Sequence, residues 1–162
     1  MEPRTAHEIR LARTARERDG ALAVRHRVFC EEQGVAPELE VDGRDGEALH
    51  LVAVRDGAVV GTCRLLLDGS TAKLGRLAVE ADARGAGLGA AIVDAAVGEA
   101  RRAGARRVTL NAQTVAVGLY ERAGFAPRGG RFQEAGIEHV RMDRVLGQPS
   151  PEPPVRQGGT GA

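Results

Sequence analysis

The sequence predicts an α/β protein of the α+β kind: a mixed, mostly antiparallel central sheet with helices on both faces and one parallel strand–helix–strand crossover. Three observations carry that prediction. The dipeptides Asp56-Gly57 and Asp68-Gly69 each separate two β-rich runs, so three strands follow one another as antiparallel hairpins. The apolar period then changes: Leu88, Ile92, Val93, Ala96, Val97 and Ala100 recur at helical spacing, with Asp94, Glu99 and Arg101 on the opposite face. A further strand, RRVTLNA, comes directly after that helix. A helix between two strands of one sheet demands a right-handed parallel connection.

Taken in order, HEIRLART (His7 to Thr14) reads as a short first strand, and Asp19 as the N-cap of a helix from about Gly20 to Glu32. Ala21, Val24 and Val28 share one face of that helix, and Gly34 stops it. VAPELEVDGRDGE reads as an acidic loop with proline and turn dipeptides. The three hairpin strands are ALHLVAVRD, AVVGTCRLLL and TAKLGRLAVE. The long helix then runs from Gly87 to about Ala103, with Gly104 in the C′ position. After RRVTLNA come a helix, TVAVGLYERAG, and two final strands in FAPRGG and IEHVRMDRV. Residues 1–146 thus form one expected domain, and 147–162, rich in proline and glycine, a disordered tail.

Composition removes several function classes. A net charge of +1 over 162 residues gives no electrostatic footprint for nucleic acid or an anionic membrane. Phe29, Phe125, Phe132 and Tyr120 are too few aromatics for a base-stacking surface. Neither a signal-like start nor a spanning apolar run is present, so the expected location is cytoplasmic. Cys30 and Cys63 fit no paired spacing, so neither a disulfide framework nor a metal site is expected. A homodimer is compatible with the sequence, which fixes no oligomeric state.

The stretch ARGAGLGA (Ala83 to Ala90) carries the first chemical signal. Gly85, Gly87 and Ala90 satisfy G-x-G-x-x-G/A nominally, yet Glu80 to Arg84 separate them from the preceding strand. The next strand also ends in Asn111-Ala112, where a ribose-binding acid should stand. No Gly-Lys-Ser/Thr follows, so the stretch is not a P-loop. Two readings remain. Either the backbone amides of a glycine-rich helix start, with Arg84 adding charge, hold a phosphate, or the glycines serve tight helix–sheet packing.

In this setting Arg84-Gly85-Ala86-Gly87-Leu88-Gly89, R-x-x-G-x-G behind the strand LGRLAV, resembles the acetyl-CoA signature of the GNAT N-acetyltransferase superfamily. Leu119 to Phe125 is similar to that family's L-Y-E-x-x-G-F segment. The resemblance extends to the ElaA/YjcF-like branch through Arg25-x-x-Val28-Phe29-x-x-Glu32-Gln33-Gly34, then Glu40-x-Asp42-x-x-Asp45 and His50, and late through Glu134-x-Gly136-Ile137-x-His139-x-x-Met142. Together these motifs cover roughly Arg25 to Arg144. One departure is Gln113, where many members carry asparagine.

The resemblance implies a sheet whose fourth and fifth strands splay apart around acetyl-CoA as co-substrate. Its pyrophosphate would lie on the amides of Arg84, Gly85, Ala86, Gly87, Leu88, Gly89 and Ala90, and its pantetheine along Leu77, Ala78 and Val79. Asn111 and Gln113 would line the other side. The implied reaction moves the acetyl group to a primary amine by direct attack in a ternary complex.

That reaction sets three chemical demands. An alkylammonium, with a pKa near 10.4, must lose a proton before it attacks. The developing oxyanion needs a donor, most simply a strand N–H near Val79. The departing thiolate gains from a proton, which a phenol of pKa about 10 can supply. The family resemblance gives that last role to Tyr120; the alternative is that its ring only packs. Between Glu31 and Glu47 stand seven acids against Arg44 alone, either a site for a cationic acceptor or a solvated acidic loop. Within it Glu40 is the expected base and Asp42 a substrate contact, with His50 and His139 as further acceptor-site candidates. Cys30 lies on a helix without an evident base and is not expected to carry an acyl group.

Two rival functions are set against this one. An acyl-homoserine lactone synthase-like enzyme shares the arginine-valine-phenylalanine helix and acidic loop but lacks R-x-x-G-x-G. A non-catalytic acyl-CoA-binding module differs only in lacking turnover.

Overall fold

A computed structural model describes residues 7–147; the expected tail lies, apart from Gly147, outside them. Seven strands form one sheet: β1 (Glu8–Leu11), β2 (Leu49–Arg55), β3 (Ala58–Asp68), β4 (Thr71–Val79), β5 (Arg107–Gln113), β6 (Ala126–Glu134) and β7 (Ile137–Val145). Their spatial order is β1-β2-β3-β4-β5-β7-β6. Every neighbouring pair is antiparallel except β4 and β5, as the helical crossover requires. The predicted fold class is the one observed.

The helices are α1 (Ala15–Arg25), continued by a π-helical segment (His26–Glu32), then α2 (Pro37–Glu40), α3 (Leu88–Arg102) and α4 (Val117–Arg122). The first helix begins five residues before the expected Gly20. Thr14 is its N-cap, its hydroxyl accepting from the Glu17 amide at 3.1 Å. Thr14 and Glu17 have the capping-box spacing, while the first turn, Ala15 to Arg18, carries three charged side chains and no apolar period to reveal it. The expected acidic loop contains α2 and a 3-10 turn at Asp45–Glu47. β6 also runs past the Gly129-Gly130 pair to Glu134, because the register shift between Arg128 and Arg131 absorbs the glycines as a bulge.

Two helices cover opposite faces of the sheet. Val24 and Val28 pack on Val59 and Ala78. Ile92, Val93, Ala96 and Val97 of α3 pack on the other face with Leu51, Leu65 and Leu74. The fit there is close: a Cβ on Gly61 would stand 2.7 Å from Ile92 Cδ1. At the far end of α3, Gly104 adopts φ 88° and Ala105 donates to Ala100 O at 2.9 Å, the expected Schellman stop. Among the described residues no helix is long and apolar enough to cross a membrane.

Two features of β4 open the sheet. It pairs with β5 only over Thr71–Lys73 against Arg107–Thr109, after which the strands part. On its other side Arg64 faces Gly75 but Thr62 faces Ala78, so β4 holds one residue more than β3 across the same span. Arg76 sits in this bulge at φ 54°, a left-handed conformation unusual for a residue with a Cβ.

Candidate active site

The gap between β4 and β5 is the floor of a cleft of about 920 Å³ that runs on to the acidic loop and the β6–β7 hairpin. One wall holds the glycine turn. Gly85 and Gly87 have φ of 89° and 79°, which favours glycine, and a Cβ at either would meet no atom within 4 Å. The room is that of the cleft they line. Gly87 is the N-cap of the 15-residue α3 and has no side-chain cap. The amides of Gly85 to Ala90 donate to no described acceptor. Free N–H groups at the positive end of a helix favour an anion.

Arg84 does something other than the sequence suggests. Its Nε donates to Val79 O at 2.9 Å and its Nη2 to the Glu32 carboxylate at 2.8 and 3.0 Å. The guanidinium therefore ties the turn to β4 and to the end of the π-helical segment, with its charge already met by Glu32. Gly85, Gly87, Leu88, Gly89 and Ala90 line the cleft beside it, whereas Ala86 does not. Leu77, Ala78 and Val79 line the β4 side; Asn111 and Gln113 line the β5 side. Gln113 Nε2 donates across the cleft to Gln33 Oε1 at 2.8 Å.

Tyr120 projects from α4 into this space, 7% exposed, its ring edge-on to Phe125 at 6.1 Å. Burial raises its pKa well above the usual phenol value, helped by nearby Cys63. The side chain therefore stays a phenol, and its O–H is bonded to no described residue.

The acidic loop is the largest departure from expectation. Glu40 is 4% exposed and its carboxylate accepts from Arg25 Nη2 at 2.7 Å and Arg76 Nε at 2.8 Å. Arg25 reaches on to Asp45 at 2.6 Å, and Arg64 joins Asp45 at 3.0 Å to Asp42. Arg76 closes the circuit to Asp42 at 3.5 Å. Three arginines and three carboxylates thus alternate in one closed ring. The Arg64 hydrogen bond, above all, holds the Asp42 carboxyl well below the usual range, against the opposing cost of burial. For Asp45, burial opposes ionisation, but the hydrogen bond from Arg25 and the charges of Arg25 and Arg64 outweigh it and lower the pKa. Glu40 and Asp42 do line the cleft, yet their oxygens are committed to guanidinium groups rather than open to a cationic acceptor.

The two histidines separate. His50 is buried outside the cleft, its Nε2 2.9 Å from Asp45 O, and braces the loop. His139 lines the cleft on β7, together with Glu134 at the end of β6. Arg25, Arg64, Arg76, Glu32 and Glu134 were not singled out from the sequence as site residues. Arg25, Glu32 and Glu134 stand in the quoted motifs without a role, and Arg64 and Arg76 each interrupt an apolar strand run, CRLLL and LGRLAV, where a charge needs a partner.

Comparison with known proteins decides the family. Residues 15–146 match the family model described as the acetyltransferase (GNAT) domain. The chain belongs to the GNAT acetyltransferase family. It is 35% identical over 133 residues to the Bacillus subtilis N-acetyltransferase YjcF, a match covering 82% of this chain and 95% of that protein. An acyl-CoA N-acyltransferase from Pseudomonas aeruginosa is similar in structure, with a TM-score of 0.75 and 31% identity over 86% of this chain and 99% of that one. Escherichia coli ElaA shares the fold, with a TM-score of 0.76 at 23% identity over 86% and 99%. As a GNAT member the chain is an acyltransferase.

Proposed function

We propose that this GNAT protein is an acetyl-CoA-dependent N-acetyltransferase that passes the acetyl group directly to a primary amine. One observation carries the reading: the unpaired amides of the glycine turn, the open edge of β4 and the Tyr120 hydroxyl share a single cleft. In this reading the amides of Gly85 and of Gly87 to Ala90 hold the pyrophosphate of CoA, and Leu77 to Val79 offer a strand edge to the pantetheine amides. Asn111 and Gln113 flank it from β5.

The strand also supports the oxyanion role. Glu80 donates its amide to Val60 O on β3 at 2.8 Å. Strand amides alternate in direction, so the Val79 N–H turns the other way, into the gap, where it can meet the developing negative charge on the carbonyl oxygen. Tyr120 donates its proton to the leaving sulfur, because burial keeps it protonated where a thiolate forms. Glu40 and Asp42 act as positioning residues: through Arg76 and Arg64 they fix the bulge that opens β4 away from β5.

The test is an acceptor screen with purified protein and acetyl-CoA, following free CoA thiol. Amine-dependent release with at least one primary amine is expected. No release across alkyl amines, amino sugars, amino acids and lysine peptides, from protein that binds CoA, would overturn the reading.

A further inference from the structure

The β6–β7 hairpin brings together a histidine and a carboxylate that each keep one polar atom without a hydrogen bond among the described residues. His139 is 6% exposed, and its Nδ1 lies 2.7 Å from Ile137 O. A carbonyl oxygen only accepts, so Nδ1 carries the proton and, in the neutral ring, Nε2 presents a lone pair. What that lone pair faces is Glu134: Oε2 is 3.5 Å away, too far for a good hydrogen bond. Asn111 Nδ2 donates to the other carboxylate oxygen at 3.3 Å, and Phe132 stacks on the imidazole at 5.9 Å, so both are held in place. Glu134, His139, Asn111 and Tyr120 all line the cleft. In the neutral ring, Nε2 and the Glu134 carboxylate thus stand side by side in the cleft as two acceptors with no good hydrogen bond between them.

We propose that the acceptor's ammonium group bridges Glu134 and His139 from the cleft side, and that His139 Nε2 is the base that takes its proton. The proposal rests on the acetyltransferase reading above and deepens it. A primary ammonium has three N–H donors and is chemically suited to this pair, one proton to each acceptor. One N–H proton moves to His139 Nε2, and the freed lone pair forms the C–N bond to the thioester carbonyl carbon. The C–S bond then breaks with its electron pair on sulfur, which takes the Tyr120 proton. The nitrogen loses its second proton to restore Tyr120 through water, and His139 returns its own to solvent. The net change is ammonium plus thioester to amide, thiol and one proton. Glu134 holds the ammonium and stabilises the imidazolium that forms.

The acceptor's own basicity gives the test. At pH 7 an alkyl amine arrives as a cation, whereas methoxyamine arrives neutral and needs no base before attack. For the best alkyl primary amine of the acceptor screen, His139→Gln should lower kcat/KM about a hundredfold, and for methoxyamine less than about threefold. Glu134→Gln, at a half-exposed position, should raise KM for the alkyl amine about tenfold, with the CoA affinity of both variants intact. Equal losses for both amines would mean a structural role for His139 and overturn the proposal, as would wild-type kinetics in both variants. Should the wild type acetylate no amine at all, the acetyltransferase reading fails first. The site is then read directly, by the imidazole NMR signals of His139 in CoA-saturated protein titrated with n-butylammonium. A shift that Glu134→Gln abolishes supports the site, and no shift in the wild type removes it.

Discussion

The two walls of the cleft hold acidic side chains in opposite states. On the β4 side, Glu40, Asp42 and Asp45 alternate with Arg25, Arg64 and Arg76 in a closed ring, so every charge there has its partners. On the β7 side, Glu134 and His139 face each other at 3.5 Å with neither satisfied by the other. The sequence is denser in acid on the first wall, and density misleads. A carboxylate locked between guanidinium groups braces a loop; one left short of a donor can still bind something. The proposed division follows from that difference: architecture on one wall, acceptor chemistry on the other.

Breaking the saturated wall should give the largest effect. Arg25 is 1% exposed and holds both Glu40 and Asp45. Arg25→Ala strips Glu40 and Asp45 each of one of two guanidinium partners, and with Arg76 and Arg64 still in place the cost should lie at the low end for a broken buried pair, about 3 kcal/mol. Urea denaturation should show that loss. A change below about 1 kcal/mol would mean that the ring adds little to the fold and that the loop acids are free for other work.

Next in size is a test of chemistry on the opposite side, at Tyr120. Phe keeps the ring and its edge-on contact with Phe125, so only the hydroxyl is removed. If the phenol protonates the leaving sulfur, kcat and kcat/KM should fall together by about a hundredfold while acetyl-CoA affinity holds. The low end of general-acid effects is expected because a thiol already leaves readily and burial makes this phenol a weaker acid. Weakened CoA binding with kcat intact would instead make the hydroxyl a positioning group.

A smaller effect is expected at the glycine turn. Gly87→Asp sets a negative charge and a Cβ at a left-handed position where the unpaired amides converge. CoA affinity measured by calorimetry should drop about thirtyfold, roughly 2 kcal/mol. Undiminished affinity in folded protein would take the phosphate away from this turn and leave the glycines to packing.

What the sequence made legible follows from the range of the interactions involved. Hairpins written as Asp56-Gly57 and Asp68-Gly69 and the stripe of α3 are local, so β2 to β4 and the crossover could be read directly. The glycine turn was legible for the same reason, since φ above zero is a property of one residue. The ring was not, because Arg25, Arg64 and Arg76 lie 15 to 36 residues from the carboxylates they meet. The bulge at Arg76 carries no local mark either: a non-glycine residue is held at φ 54° by its distant partners, not by its neighbours. Glu134 and His139 stood in the quoted motif, yet only the folded hairpin, which sets them diagonally across β6 and β7, brings the carboxylate within 3.5 Å of the ring nitrogen.

The smallest effect, and the one that sharpens the contrast most, is the response of the saturated wall to pH. Asp42 and Asp45 have folded-state pKa values depressed by Arg64 and Arg25 respectively. A depressed carboxyl adds stability above its unfolded pKa, about 3.9, and loses that contribution as pH falls through its lower folded value. The guanidinium partners stay charged throughout. From pH 8 to about pH 5 these two carboxyls should therefore leave stability unchanged, and below about pH 4 their contribution should drain away. Urea midpoints taken at intervals of pH on the wild type and on Asp42→Asn would show it: the two curves should run parallel at neutral pH and converge in acid. Curves that converge between pH 6 and 8 would mean that a group titrating near neutrality, rather than these paired carboxylates, controls the loop.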